Sequence, residues 1–134
     1  MPPLIKALRS GDPGKQFAAG MALASIGADA DEAVPALIEL LDDPEIYARQ
    51  WASEALGAMG TAAKPALPAL RRALRDKEWL IGTKAAWAMS VIDPEGARDE
   101  AIASLRGVLR HPDPMARAEA RRILARLGMP EFTE

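Results

Sequence analysis

The feature that most constrains this chain is a short run of residues that recurs along its whole length. The copies are PPLIKALRSG from Pro2, PALIELLDDP from Pro35, PALRRALRDK from Pro68 and ASLRGVLRHP from Ala103. Their starting positions lie 33, 33 and 35 residues apart, and self-similarity at such a period is typical of repeat proteins. The sequence therefore predicts an architecture built by stacking one structural unit.

Each copy predicts two helices joined by a turn. In the second copy, the apolar pairs at 37–38 and 40–41 have the spacing that places side chains on one helical face. Asp43 and Pro44 follow, and these residue types end one helix and prepare the next. A second helix of about 13 residues then ends, in three copies, at a glycine that readily adopts the left-handed cap. These glycines are Gly27, Gly60 and Gly128.

A single hairpin of this kind cannot bury its apolar face, so neighbouring hairpins must stack into an elongated array. We predict an all-α fold, a right-handed α-solenoid (an α–α superhelix) of four helical hairpins and eight helices. Residues 1–134 would form one repeat domain. The predicted repeats span about 2–34, 35–67, 68–102 and 103–128, with a C-terminal tail at 129–134.

A helical wheel of the second helices predicts which residues form the core. Small and apolar residues share one arc in every copy, with alanine prominent because neighbouring helices approach to about 8–10 Å. The predicted core residues are Ala19, Ala22, Leu23, Ile26, Ala52, Ala55, Leu56, Met59, Ala85, Ala88, Met89, Ile92, Ala120, Ile123, Leu124 and Leu127.

The stretch LIELLDDPEIYARQWASEALGAMG resembles a HEAT-like repeat of the short bacterial, phycobilisome-lyase-like type. In that type, a leucine pair leads to Asp-Pro, then to an apolar-Arg pair, then to Ala-x-x-Ala-Leu-Gly-x-Ile-Gly. The resemblance covers about residues 2–128, and it supports the solenoid prediction.

The resemblance also implies that the repeat arginine and the turn aspartate form a ladder between repeats. Arg49 and Arg117 hold the arginine position, and Asp43 and Asp76 hold the aspartate position. The other copies depart from the pattern, so a continuous ladder is not expected. The departures are Gln16 and Gly82 for arginine, and Ser10 and His111 for aspartate.

The arc opposite the core is expected to line the concave face, which the resemblance implies is the usual partner-binding surface. Its outermost row is Met21, Glu54, Trp87 and Arg122. Beside it run the rows Phe17, Gln50, Thr83, Ala118 and Gly20, Ser53, Ala86, Arg121. Aromatic residues and arginine are enriched in interface hot spots. The hypothesised partner-binding residues are Trp87, Glu54, Arg122, Arg121, Gln50, Met21 and Phe17.

A structural interpretation of the same residues stays open. In it, Phe17 and Met21 fold under the first residues of the chain, and Trp87 lies flat on small side chains nearby. Trp51 falls on the flank between the core and the concave face, so we expect it to lie across the seam with a neighbouring hairpin.

Catalytic chemistry has few candidates in this sequence. The chain has one histidine, His111, and no cysteine, which excludes a His–His or Cys–His metal site within one chain. His111 stands at a turn position without a serine close by in sequence, so we interpret it as a turn residue. We predict no catalytic residue, no metal and no cofactor.

Charge and hydropathy argue against nucleic acid and membrane as partners. The formal net charge of -2 does not favour nucleic acid, and no apolar run approaches the roughly 18 residues of a membrane span. We predict a cytoplasmic protein. Acidic residues cluster between 29 and 45 and arginines between 106 and 126, which allows salt-sensitive head-to-tail association through uncapped solenoid ends. Alternatively, Phe132 covers the last hairpin.

Taken together, these patterns predict a non-catalytic scaffold that binds another protein through the concave face of its second helices. A lyase-like array (a chromophore-lyase subunit) or a DNA-binding array remains the alternative, because the resemblance is in the repeat and does not identify the partner.

Overall fold

The computed structural model describes residues 2–129, and all regular secondary structure in that range is helical. The helices are α1 (Pro2–Leu8), α2 (Pro13–Ile26), α3 (Val34–Leu40), α4 (Ile46–Met59), α5 (Leu67–Ala73), α6 (Trp79–Ile92), α7 (Arg98–Val108) and α8 (Pro114–Arg126). Two 3-10 segments, Gly27–Ala33 and Gly60–Ala66, join the first three hairpins. The predicted all-α solenoid of helical hairpins is confirmed. Phe132 and the rest of the tail from 130 onward lie outside the described residues.

Local sequence explains where α2 begins and where α2 and α4 end. The carboxylate of Asp12 accepts hydrogen bonds from the backbone N–H groups of Gly14 and Lys15, at 2.9 and 3.2 Å, and so caps α2. At the other end, Gly27 and Gly60 have φ of 69° and 62°, a conformation that a side chain would strain. The chain can therefore leave α2 and α4 sharply and enter the 3-10 segments.

The second helices α2, α4 and α6 stack side by side and form the most extensive helix–helix contacts in the protein. Small residues permit this: Ala52, Ala55, Ala85 and Ala88 are each no more than 1% exposed. The wheel prediction of the core is confirmed for both α4 and α6. One large hydrophobic cluster runs through the first three hairpins and ends at Ala97.

The wheel prediction is less accurate in the two outer hairpins. It is wrong for Ile26, which is 40% exposed although its counterparts Met59 and Ile92 are buried. Ala22 and Leu127 are only half-buried. The physical reason is position, because within residues 2–129 no earlier repeat packs on the outer side of α2 and no later repeat packs on α8.

The fourth hairpin packs differently from the others. The 93–97 linker contains no 3-10 helix, and it turns where the N–H of Gly96 donates to Asp93 Oδ1 at 2.9 Å. Helix α6 packs mainly against α7 at this junction, and α8 contacts α6 over fewer residues than α4 does. A second, smaller cluster results, made of Ala86, Ala101, Ile102, Leu105, Ala120, Ile123 and Leu124. Trp87 and Leu74 are half-buried and pack against both clusters.

Candidate functional site

The turn residue of each repeat accepts a hydrogen bond from the backbone, and the accepting group is a hydroxyl, a carboxylate or an imidazole nitrogen. In each copy, it accepts a hydrogen bond from the backbone N–H two residues later, at 2.9–3.1 Å. The acceptors are Ser10 Oγ, Asp43 Oδ1, Asp76 Oδ1 and His111 Nδ1. The interpretation of His111 as a turn residue is therefore confirmed. Only an aspartate keeps a second charged oxygen that can reach another repeat.

Arg49 uses that second oxygen. Its Nε donates to Asp76 Oδ2 at 2.8 Å, while its Nη1 donates to the carbonyls of Asp43 and Pro44 at 2.9 and 3.0 Å. The two charged side chains are 10% and 12% exposed, so the pair is largely desolvated. Arg49 thus closes its own turn and links the second hairpin to the third.

Gln16 and Arg117 keep a contact within their own hairpin, but among the described residues none of the other three copies forms a rung, that is, an arginine–aspartate pair between repeats. Arg117 Nη1 donates to the carbonyls of His111 and Pro112 at 2.7 and 2.9 Å, and Gln16 Nε2 donates to the carbonyl of Leu8 at 3.1 Å. Gly82 has no side chain to offer. Recesses of about 220 Å³ lie where rungs are missing, one beside Gln16 and Asp43 and one beside Gly82 and His111.

Three residues of the predicted outermost row meet in one cleft of about 300 Å³ on the second helices. Glu54 comes from α4, Trp87 from α6 and Arg122 from α8, and each occupies the same position in its own repeat. The cleft lies where α8 packs less closely on α6. Its lining residues are Ala24, Glu54, Ala58, Lys84, Trp87, Glu119, Arg122, Ile123 and Arg126.

The floor of the cleft is apolar and is dominated by Trp87. Its indole ring lies directly over Gly57 of α4, where an added Cβ would come within 2.3 Å of the ring. Glycine at this position therefore provides the space that the tryptophan fills. Ala24, Ala58 and Ile123 complete the apolar surface, so the cleft combines one large aromatic group with small neighbours.

The rim of the cleft is charged, and most of its charges are paired. Lys84 Nζ lies 2.9 Å from Glu54 Oε1, which joins α6 to α4, and Arg122 forms a hydrogen-bonded ion pair with Glu119 on α8. That hydrogen bond raises the pKa of Arg122 above its ordinary value. The guanidinium carbon of Arg126 lies 5.9 Å from the ring centroid of Trp87, within the range of a cation–π interaction.

The remaining hypothesised binding residues lie away from this cleft. Phe17 is 43% exposed and packs against Trp51, with ring centroids 4.7 Å apart, and Met21 is 54% exposed. Gln50 and Arg121 are half-buried and do not line the cleft. Trp51 of α4 packs against Phe17 and beside Gly20 of α2, as its seam position predicts.

We expected two further rows, which contain Gln50 and Thr83, and Ser53 and Ala86, to lie on the open concave face. This expectation is wrong for the residues in the middle of the rows. Ser53, Thr83 and Ala86 are all 0% exposed. The hydroxyls of Ser53 and Thr83 donate to the carbonyls of Arg49 and Leu80 within their own helices, so the polar atoms are satisfied without solvent. Close packing between neighbouring helices buries these positions, and Ala86 belongs to the cluster formed with α7 and α8.

Among the exposed apolar residues of the second helices that sequence reasoning missed are Tyr47 at 56% and Met115 at 69%. They stand seven residues before Glu54 and Arg122, and a separation of seven residues returns to the same helical face. That spacing was the signal that could have found them. Both lie near the turns, at the opposite end of their helices from the cleft.

The described part of the chain contains neither a cluster of metal-ligating side chains nor a membrane-spanning helix. Residues 2–129 contain no group of three or more His, Asp or Glu side chains arranged to hold a metal ion. None of the helices in that range is long and apolar enough to cross a membrane.

A protein-family model described as HEAT repeats matches residues 1–90. The chain belongs to the HEAT repeat family. Among solved structures, this HEAT repeat chain is similar to an engineered protein from the Northeast Structural Genomics Consortium. Their TM-score is 0.66 at 26% identity, over 92% of this chain and 60% of that one.

A designed armadillo repeat protein in complex with the peptide (KR)4 also has a TM-score of 0.66 to this HEAT repeat chain. Their identity is 19%, over 93% of this chain and 63% of that one, so this likeness shows the fold alone. The chain spans about six-tenths of the length of both solved proteins. No curated protein matches it.

Proposed function

We propose that this HEAT repeat protein is a non-catalytic scaffold that binds a segment of another protein in the cleft between α4, α6 and α8. The observation that carries the proposal is the half-buried indole of Trp87 at the floor of a cleft of about 300 Å³ with a charged rim. Concave sites with an apolar floor and a few fixed polar groups are the usual form of a binding site. Tryptophan and arginine are the residues that most often dominate interface energy.

The cleft is held in place before any partner arrives. Trp87 packs against both hydrophobic clusters, and the Glu54–Lys84 pair ties α4 to α6 across the cleft. A preformed surface loses little conformational entropy on binding, so more of the contact energy becomes affinity. The HEAT repeat fold is typical of scaffolds rather than enzymes, and the designed armadillo protein shows that a solenoid of similar fold can hold a peptide.

The nucleic-acid alternative has less support from this site. Glu54 and Glu119 stand in the rim, and each already neutralises a cation that phosphates would need. No contact of the described residues favours a bilin or another chromophore.

Peptide display followed by titration tests the proposal. Peptides enriched on the wild-type protein are titrated against Ala58→Arg, which fills the cleft from an exposed position on α4. The matched control is Ala103→Arg, at an exposed position of α7 outside the cleft lining. We expect the enriched peptides to bind the control and to lose binding to Ala58→Arg. Binding that survives in Ala58→Arg, or a failure of any peptide to be enriched, contradicts the proposed site.

A further inference from the structure

The cleft is lined by more positive than negative side chains, and this excess indicates the charge of the protein segment that it would bind. Three cations and two carboxylates line it. The carboxylates are both engaged, Glu54 by Lys84 and Glu119 by Arg122. Arg126 has no carboxylate partner among residues 2–129, and its guanidinium instead lies over the indole ring of Trp87. One positive charge is therefore left at the edge of the apolar floor.

The wider surface of α8 has the same sign. The helix carries four arginines and one glutamate between 114 and 126. Of these, Arg122 is engaged by Glu119 and Arg117 by the carbonyls of its own turn. A ligand approaching the cleft along α8 therefore meets positive potential next to an aromatic surface.

We propose that the cleft selects an acidic protein segment that inserts one aromatic side chain into the apolar floor next to Trp87 and places a carboxylate on Arg126. This inference rests on the proposed function and specifies its partner. Guanidinium and carboxylate match as a two-point, charge-assisted hydrogen-bonded pair. The 5.9 Å separation between Arg126 and Trp87 keeps the two recognition elements within reach of adjacent residues of one peptide. The preference is opposite in sign to the basic (KR)4 peptide of the designed armadillo protein.

Four synthetic peptides test the selection against the full chain by fluorescence anisotropy. They are GSEEFEEGS, the basic GSKRFKRGS, the neutral GSSGFSGGS and the acidic GSEEAEEGS, in which alanine replaces the aromatic residue. We expect GSEEFEEGS to bind at least about tenfold more tightly than each of the other three, and to weaken as salt is raised.

A second test reverses the charge of Arg126 and measures the affinities of the same peptides. Arg126→Glu should weaken GSEEFEEGS by about tenfold or more and strengthen the basic peptide. The matched control is Arg72→Glu, which reverses an exposed arginine on α5 outside the cleft and should leave both affinities unchanged. Arg126 is exposed, so both variants are expected to fold, and circular dichroism verifies this.

The outcomes separate the two proposals. If the neutral aromatic peptide binds as tightly as the acidic one and Ala58→Arg blocks both, the cleft is the binding site but the charge selection is wrong. If GSEEFEEGS does not bind, or binds equally to wild type, Arg126→Glu and Ala58→Arg, the inference is overturned. If a twelve-nucleotide oligothymidine displaces it with comparable affinity, the site recognises anions in general, and the protein-segment assignment fails.

Discussion

Two junctions between hairpins differ although both are built from the same repeat. The second and third hairpins are closely packed and joined by an ion pair, whereas the third and fourth are packed less closely and lack that pair among the described residues. At the first, Arg49 reaches Asp76 at 2.8 Å, and α6 packs fully along α4. At the second, Gly82 and His111 replace the pair, and a recess of about 220 Å³ lies between them.

The second helices differ at the same two junctions. The packing position held by Ala55 in α4 and Ala88 in α6 is held by Ile123 in α8. A branched side chain keeps helices further apart than alanine does, and α8 contacts α6 over fewer residues. The lesson is that a repeat protein can form a cleft by relaxing one junction, while the regular junctions supply rigidity.

Removal of the Arg49 side chain should have the largest effect on this comparison. Arg49→Ala leaves the Asp76 carboxylate, 12% exposed, without its cation, and leaves the carbonyls of Asp43 and Pro44 without their donor. We expect a loss of about 3 kcal/mol in the free energy of unfolding, measured by urea denaturation.

Arg117→Ala is the matched control for Arg49→Ala, because it removes contacts to turn carbonyls only and should cost about 1 kcal/mol. Equal losses in the two variants would show that the link between hairpins contributes nothing beyond the turn.

Overpacking of the alanine column should have the next largest effect. Ala55 is 1% exposed in the closely packed stack, so Ala55→Leu forces helices apart and should cost about 2 kcal/mol. Ala118→Leu, at an exposed position of α8, is the control and should change stability by no more than about 0.5 kcal/mol. An unchanged thermal midpoint for Ala55→Leu would refute the close packing of α4.

Two glycine substitutions separate the floor of the cleft from an open surface. Gly107→Ala in α7 meets nothing within 4 Å and should stabilise the protein by about 0.5–1 kcal/mol, because alanine has the higher helix propensity. Gly57→Ala places a Cβ 2.3 Å from the Trp87 ring, so the ring must shift. We therefore expect no gain in stability for Gly57→Ala and a change in tryptophan near-UV circular dichroism. A gain equal to that of Gly107→Ala, with an unchanged spectrum, would show that Trp87 is not seated on Gly57.

Restoration of a missing rung should have the smallest effect. Asp43 accepts the N–H of Glu45 at 2.9 Å, just as Asp76 accepts that of Glu78, so its second oxygen is oriented for an arginine that Gln16 does not supply. Gln16→Arg should stabilise the protein by about 0.5 kcal/mol, the order of a partly exposed ion pair. The gain should vanish in an Asp43→Ala background, and a gain that persists there would come from another contact.

Periodicity predicted the hairpins and the core of α4 and α6, because burial in a stacked array repeats with the sequence. It also placed Glu54, Trp87 and Arg122 in one row. Periodicity could not predict that Thr83 and Ser53 are buried, because burial on that side depends on how closely α4 approaches α6. Ile26 shows the opposite limit, since this apolar residue of the core arc is exposed where no other repeat within residues 2–129 covers it.

By itself, the sequence determined the repeat, the helical hairpins, the glycines that end α2 and α4 and the absence of cysteine, because these depend on residues close together in the chain. Only the tertiary structure decided that Arg49 meets Asp76, that Trp87 lies on Gly57 and that α8 is set apart from α6. These features join residues about 30 positions apart, and their geometry follows from side-chain volumes at each junction. Small residues draw the helices together between the second and third hairpins, and larger residues without a rung leave the candidate cleft at the next junction.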